Sequence, residues 1–309
     1  MTRYIALTGG IGGAKLALGL THTLTPTELM LVANTGDDFE HFGLHISPDI
    51  DTLTYTLAAL NNPEVGWGRH DETWNFMAAL TELGGETWFN LGDRDLALHH
   101  LRTQMLGSGL ALSDITGAIC QQLGIQYPVV PMSDQPVRTM VATKDGELSF
   151  QHYFVRERCK PRVSGFRFAG IEEASPAPEF LAALAEAHGV IICPSNPFVS
   201  IDPILNLAGV RDALKASPAK VIAVSPIVGG NAIKGPTAKI MRELNLASMA
   251  DEVADHYGDI LDGYVLDELD KFLDGRLNIP THVTQTVMQT LDDRIDLAKH
   301  CVDFIDQLH

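Results

Sequence analysis

At 309 residues, with 45% hydrophobic and 20% charged residues, the chain has the make-up of a globular protein able to bury a large core. Its formal net charge of −17 excludes a general nucleic-acid binder, whose affinity rests on clustered Lys and Arg. The sequence has no apolar stretch near the roughly 20 residues that span a bilayer and no signal-peptide pattern, and its four scattered cysteines, including a Cys193 expected to be buried, form no C-x-x-C pair, so a cytoplasmic protein without a disulfide framework is expected.

The apolar run at residues 4–8 predicts a buried strand, and Gly9, Gly10, Gly12 and Gly13 crowd the turn into an Ala/Leu-rich helix. Free N–H groups at a helix start attract anions, and Lys15 adds a positive charge, so this turn is read as a phosphate cradle. It fits neither standard pattern. A P-loop needs Ser or Thr after its lysine, where this chain has Leu16, and the third glycine of G-x-G-x-x-G falls on Lys15. A tight turn with no ligand is the alternative, but four glycines in five positions are more than a turn needs.

A second strand is predicted at 29–33, ending in Asn34-Thr35-Gly36-Asp37-Asp38. Helices follow at 51–60 and 72–83, a short strand at 87–89, and helices at 96–106 and 112–123. The middle reads as shorter strands at 129–131, 137–143 and 148–155, with residues 144–147 as a hairpin turn. The α/β rhythm resumes with a helix at 179–187, a strand at 189–193, a helix at 203–216 and a strand at 220–225. The last third reads as mostly helical. The expected fold is α/β, a doubly wound, mostly parallel Rossmann-like sheet. The whole of residues 1–309 forms one domain with a helical and β-hairpin insertion at approximately 60–175.

Open α/β sheets bind ligands where strands end at their carboxyl edge. Four such ends carry small or hydrogen-bonding residues: the glycine cradle, Asn34 with Asp37 and Asp38, Pro194-Ser195-Asn196-Pro197, and the turn from Ser225 to Gly230. Asp49 and Asp51 flank the start of a proline-led helix, where hard oxygen ligands suit Mg2+; helix capping is the alternative for either. Asp37, Asp38, Asp93 and Asp95 read as turn carboxylates, Lys234 as a phosphate contact or a solvated lysine, and His99-His100 as a helix surface. His41 and His45 flank the aspartate turn, and Trp67, Trp74 and Trp88 suit either stacking on a planar ring or packing.

These motifs, in order, resemble the 2-phospho-L-lactate transferases of coenzyme F-420 biosynthesis. The resemblance rests on the stretches 8–15, 32–37, 46–52, 88–95, 194–201 and 224–230, with Lys234-Gly235-Pro236 after them. It implies magnesium-dependent transfer of a phosphate-linked three-carbon acid from a guanosine diphosphate donor to the deazaflavin Fo, releasing GMP, and is compatible with a homodimer. It places Asp51 at the Fo and metal site with Asp49, Asn90 facing Fo where a basic residue is expected in relatives, and Gly9, Gly10, Gly12, Gly13, Lys15, Asn34, Ser195 and Asn196 around the nucleotide. The transferred group stays open among 2-phospholactate, phosphoenolpyruvate and 3-phosphoglycerate. Substituting Asp51 by Asn is expected to abolish transfer and leave the fold intact. The alternatives are a nucleotide-sugar-binding regulatory protein of the same fold and, against the missing third glycine, an NAD-dependent dehydrogenase.

Overall fold

A computed structural model of the chain, describing residues 3–64 and 66–309, is organised around one seven-stranded sheet. Strand β1 (Tyr4–Thr8) feeds helix α1 (Gly10–Thr23), which returns to β2 (Leu29–Ala33). An antiparallel hairpin, β3 (Phe39–His41) and β4 (Leu44–Ile46), leads into α2 (Pro48–Leu57). Helices α3 (Asn75–Glu82), α4 (Asp93–Gly107) and α5 (Leu112–Gln122) precede β5 (Val129–Pro131). A separate antiparallel sheet is formed by β6 (Arg138–Thr143), β7 (Gly146–Ser149) and β8 (Val163–Ala169), ordered β7-β6-β8. The α/β alternation continues with α6 (Pro178–Leu184), β9 (Gly189–Ile192), α7 (Asp202–Leu205), α8 (Val210–Ala216) and β10 (Lys220–Val224). The hairpin β11 (Ile227–Val228) and β12 (Asn231–Ala232), helices α9 (Thr237–Glu243) and α10 (Ala250–Tyr257), strands β13 (Gly263–Asp267) and β14 (Thr281–Thr284), and helix α11 (Leu291–Leu308) complete the order.

The main sheet runs β14-β13-β10-β9-β1-β2-β5, and every neighbouring pair is parallel. Strands of such a sheet are covered on both faces and read as continuous apolar runs, as Tyr-Ile-Ala-Leu-Thr in β1 does. Alternate residues still part company: Ile5 and Leu7 enter one core cluster, Tyr4 and Ala6 the other. The second cluster is closed by α1 and α11. The chain starts at β1, builds outward through β2, then crosses to β9 on the other side. The order therefore reverses between β1 and β9, and a crevice opens there at the carboxyl ends.

The α/β, doubly wound, parallel reading is the fold observed, with local differences. Residues 87–89 form no strand, because Trp88 and Phe89 pack edge-on with Phe39 and His41 and have no sheet partner. The expected helix at 203–216 is broken by Gly209 at φ 81° into α7 and α8. The strand expected through 155 stops at Ser149 and gives way to a π-helical turn over His152–Arg156. The C-terminal third, read as mostly helical, contributes two sheet strands, β13 and β14, and β5 at 129–131 is an edge of the main sheet.

Candidate active site

The carboxyl ends of β1, β2 and β9 meet the start of α2. Asp49 Oδ1 accepts a hydrogen bond from Gly10 N at 2.8 Å, and its Oδ2 accepts one from Asn34 Nδ2 at 2.8 Å. Asn34, fully buried, also donates to the Val199 carbonyl at 3.3 Å and accepts from Gly36 N at 2.8 Å. Ser195 Oγ donates to the Gly9 carbonyl at 2.7 Å and accepts from Gly9 N at 3.2 Å. Three loops and one helix start are thus tied at a single point. Asp49 does not cap its own helix; Ser47 occupies that position.

The glycine turn owes its composition to this knot. A Cβ on Gly12 would collide with the Pro194 carbonyl, one on Gly13 with Thr8 and Ser195, and one on Gly9 with Asp49 and Ser200. Only Gly10, at φ 64°, has open space where a Cβ would stand. Gly9, Asn34 and Ser195 therefore lock the loops together, while Gly10 faces outward. Lys15 Nζ donates to the Met288 carbonyl at 2.6 Å. Asn196 Oδ1 accepts from Phe198 N at 3.0 Å, and its buried Nδ2 has no partner among the described residues.

Around the knot lies an acidic cluster. Burial, above the bonds from Asn34 and Gly10 that oppose it, pushes the Asp49 carboxyl up to about 6. Burial and then the charges of Asp49 and Asp38 raise Asp37 well above the usual carboxylate range. Asp38 Oδ2 accepts from Ser47 Oγ at 2.8 Å and lies 3.1 Å from His45 Nε2. Thr8 Oγ1, Thr35 Oγ1, Asp37 Oδ1 and Asp38 Oδ1 are buried with no hydrogen-bond partner among the described residues. Buried polar atoms are rarely left so, and their concentration at one edge of the sheet marks it as a place built for a ligand.

Asp51 is treated differently. Two positions along a helix turn a side chain by about 200°, so Asp49 and Asp51 do not share a face. Asp51 meets Arg102 of α4, whose guanidinium grips both carboxylate oxygens; Asp51 is 6% exposed and Arg102 1%. His99 Nδ1 stands 3.6 Å from Asp51 Oδ2, and burial holds His99 down to about 4, hence neutral. The expectation of a surface His99 is corrected here: His99 is buried, and its neighbour His100 is exposed. Asn90 is exposed ahead of α4. Nothing in the sequence spacing pointed to Arg102, which lies 51 positions from its partner.

The flanking aspartates divide in role. Asp93, held down to about 2 by the Thr73 hydroxyl first and then Phe76 N and Asn75, caps the start of α3. Asp95 is buried and pushed up to about 6. Glu72 accepts from Arg94 N at 2.9 Å and Asp95 N at 3.1 Å, capping α4 in return. Among the described residues no group of three or more His, Cys, Asp or Glu side chains is arranged to hold a metal ion. Magnesium needs less, taking one or two carboxylates together with waters and phosphate oxygens. The pair Asp37 and Asp49 offers that donor set, Asp49 being bonded only to neutral donors, whereas both oxygens of Asp51 are engaged by the Arg102 cation.

The chain matches the family model "2-phospho-L-lactate transferase CofD" over residues 5–294. It is 42% identical over 276 residues to a phosphoenolpyruvate transferase of Kitasatospora aureofaciens, covering 87% of this chain and 86% of that one. A phosphoenolpyruvate transferase of Streptomyces avermitilis is 39% identical over 315 residues, covering 99% of both chains. Among solved structures, a UPF0052-family protein of Bacillus halodurans shares the fold at a TM-score of 0.66 and 16% identity, across 98% of this chain and all of that one. Among the described residues no helix is long and apolar enough to cross a membrane.

Proposed function

The chain belongs to the 2-phospho-L-lactate transferase family CofD and is a transferase of coenzyme F-420 biosynthesis, and on that premise we propose that it moves a phosphoenolpyruvyl group from a guanosine diphosphate donor to a hydroxyl of the deazaflavin Fo. The observation that carries the reading is the buried pair Asp37 and Asp49, with no cationic side chain among the described residues bonded to either, beside the outward Gly10 turn. The choice of phosphoenolpyruvate over the other three-carbon acids is supported by the names of relatives at 39–42% identity.

In this reading the Fo hydroxyl oxygen attacks the phosphorus that carries the three-carbon acid. The diphosphate bridge breaks, GMP leaves, and the hydroxyl proton is lost. Little covalent work falls to side chains in such a transfer; position and charge neutralisation supply most of the acceleration. Magnesium, when bound, neutralises the diphosphate, and Asp37 and Asp49 would hold it. Asn196 Nδ2 is free to donate to the nucleotide, Gly10 lets it approach, and Lys15 adds positive charge one turn along. Asp51, fixed by Arg102, and Asn90 are assigned to the acceptor side. The test is to mix protein, Mg2+, Fo and the guanosine diphosphate-linked acid and to follow GMP. Release only when Fo is present supports transfer. Release without Fo, or none at all, refutes it.

A further inference from the structure

Of the 22 Lys and Arg residues in this acidic chain, four stand within one stretch of seven: Arg156, Arg158, Lys160 and Arg162, with Glu157 the one acid among them. All four basic residues are exposed. The stretch begins at the end of the π-helical turn over His152–Arg156 and leads into β8. Backbone bonds close it into a loop of fixed shape. Glu157 N donates to the His152 carbonyl at 2.8 Å, Cys159 N to the Tyr153 carbonyl at 2.9 Å and Lys160 N to the Glu157 carbonyl at 3.0 Å. Two consecutive residues other than glycine, Arg158 at φ 52° and Cys159 at φ 55°, pass through the left-handed region, a strain that the surrounding bonds hold in place. From α9, Lys239 Nζ donates to the Pro161 carbonyl at 3.1 Å.

The acids beside this loop are engaged elsewhere. Glu243 pairs with Lys239 at 2.7 Å and accepts from Val163 N at 3.0 Å, and Glu147 pairs with Arg167. Arg162 donates to the Glu243 carbonyl at 3.5 Å. Among the described residues Arg156, Arg158 and Lys160 form no ion pair, so their charge is turned to solvent.

The other end of the same π-helical turn meets the candidate active site. The buried Gln151 donates through Nε2 to the Asp37 carbonyl at 3.4 Å, and the His152 ring lies 4.7 Å from that of Trp88. One short element therefore joins the acidic cluster to the basic loop, and π-turns recur at functional sites. At long range a protein of net charge −17 repels a nucleotide-linked anion. Exposed charges act over about 8–10 Å at ordinary ionic strength, so a basic loop beside the site opposes that repulsion along the approach.

We propose that the loop from Arg156 to Arg162 is an electrostatic collector for the anionic donor, raising its rate of encounter without contacting it in the bound complex. The proposal rests on the donor reading above and adds to it a route of arrival.

Stopped-flow association of a fluorescent GDP with the full chain and Mg2+, over a range of NaCl concentrations, tests it. The wild-type association rate is expected to fall as salt rises. The triple variant Arg156→Gln, Arg158→Gln, Lys160→Gln is expected to associate about threefold to tenfold more slowly at low salt, at or below the low end for steered encounter. Its dissociation rate is expected to be unchanged. At about 1 M salt, where the screening length is about 3 Å, the two proteins are expected to coincide. Glu157→Gln, which removes the one acid of the loop, is expected to shift the association rate upward, and it decides alone if thermal melts show the triple variant unfolded. Wild-type association rates at low salt in the folded variants overturn the proposal. So does a loss that persists at 1 M salt or appears in dissociation, since either marks direct contact. A wild type that binds no GDP at all refutes the donor reading itself, which separates the two failures.

Discussion

Asp49 and Asp51 stand two residues apart on one helix, both buried, yet the fold treats them in opposite ways. Asp51 receives a guanidinium that itself is 1% exposed; Asp49 receives only an amide and a backbone N–H. A buried carboxylate matched by a protein cation is complete as it stands. One left with neutral donors, beside a second acid, is complete only when something positive arrives from outside. The contrast separates a group that holds the architecture from a group kept in readiness for a cation.

The sharpest way to break this contrast is substitution at each aspartate. Asp49→Asn is expected to lower transfer by a thousandfold or more, as loss of a metal-holding charge does, with the melting temperature maintained. Asp51→Asn is expected to lower both, because it strands Arg102 as a buried unpaired charge. The intact fold expected for Asp51→Asn from the sequence is revised accordingly. Arg102→Leu, which strands Asp51 instead, is expected to cost about 3–5 kcal/mol in denaturant unfolding.

The pH behaviour sharpens the same point. Asp49 holds its proton more tightly folded than unfolded, so its contribution to stability falls as pH rises from the ordinary carboxylate range through about 6. Magnesium competes with that proton. It is expected to raise the melting temperature above about pH 6, to lose the effect below it, and to have none in Asp49→Asn. A shift of equal size at pH 5 and pH 8 would contradict this. Gly12→Ala, which drives a methyl group into the Pro194 carbonyl, is expected to cost about 1–3 kcal/mol in the same unfolding assay. Thr290→Ala, which removes the side-chain cap of α11, is expected to cost about 1 kcal/mol in that assay.

The parts of this design set by local pattern were legible in the sequence. Continuous apolar runs gave β1, β2, β9 and β10, and the small residues at their ends gave the loops that meet. What the sequence hid was partnership across distance. Arg102 reaches Asp51 because α4 packs against β4, the strand that leads into α2, and no spacing rule links the two. The strands β13 and β14 are only five and four residues long and lie among helical segments, so their period could not be told from a buried helix turn. The glycine turn was recognised, but its crowding came from Pro194, Ser195 and Asp49, which only the folded chain brings close.

The union of α1 with α11 has a consequence for how the protein is made. The first helix packs most extensively against the last, and β1 is flanked on one side by a strand from residue 189 onward. A nascent chain emerging from the ribosome therefore carries the α11-facing side of α1 uncovered until residues 291–308 have been synthesised. Long-range closure of this kind is slow and leaves hydrophobic surface open to aggregation. Truncation ahead of Leu291 is accordingly expected to yield insoluble protein, and chaperone demand should be greatest late in translation.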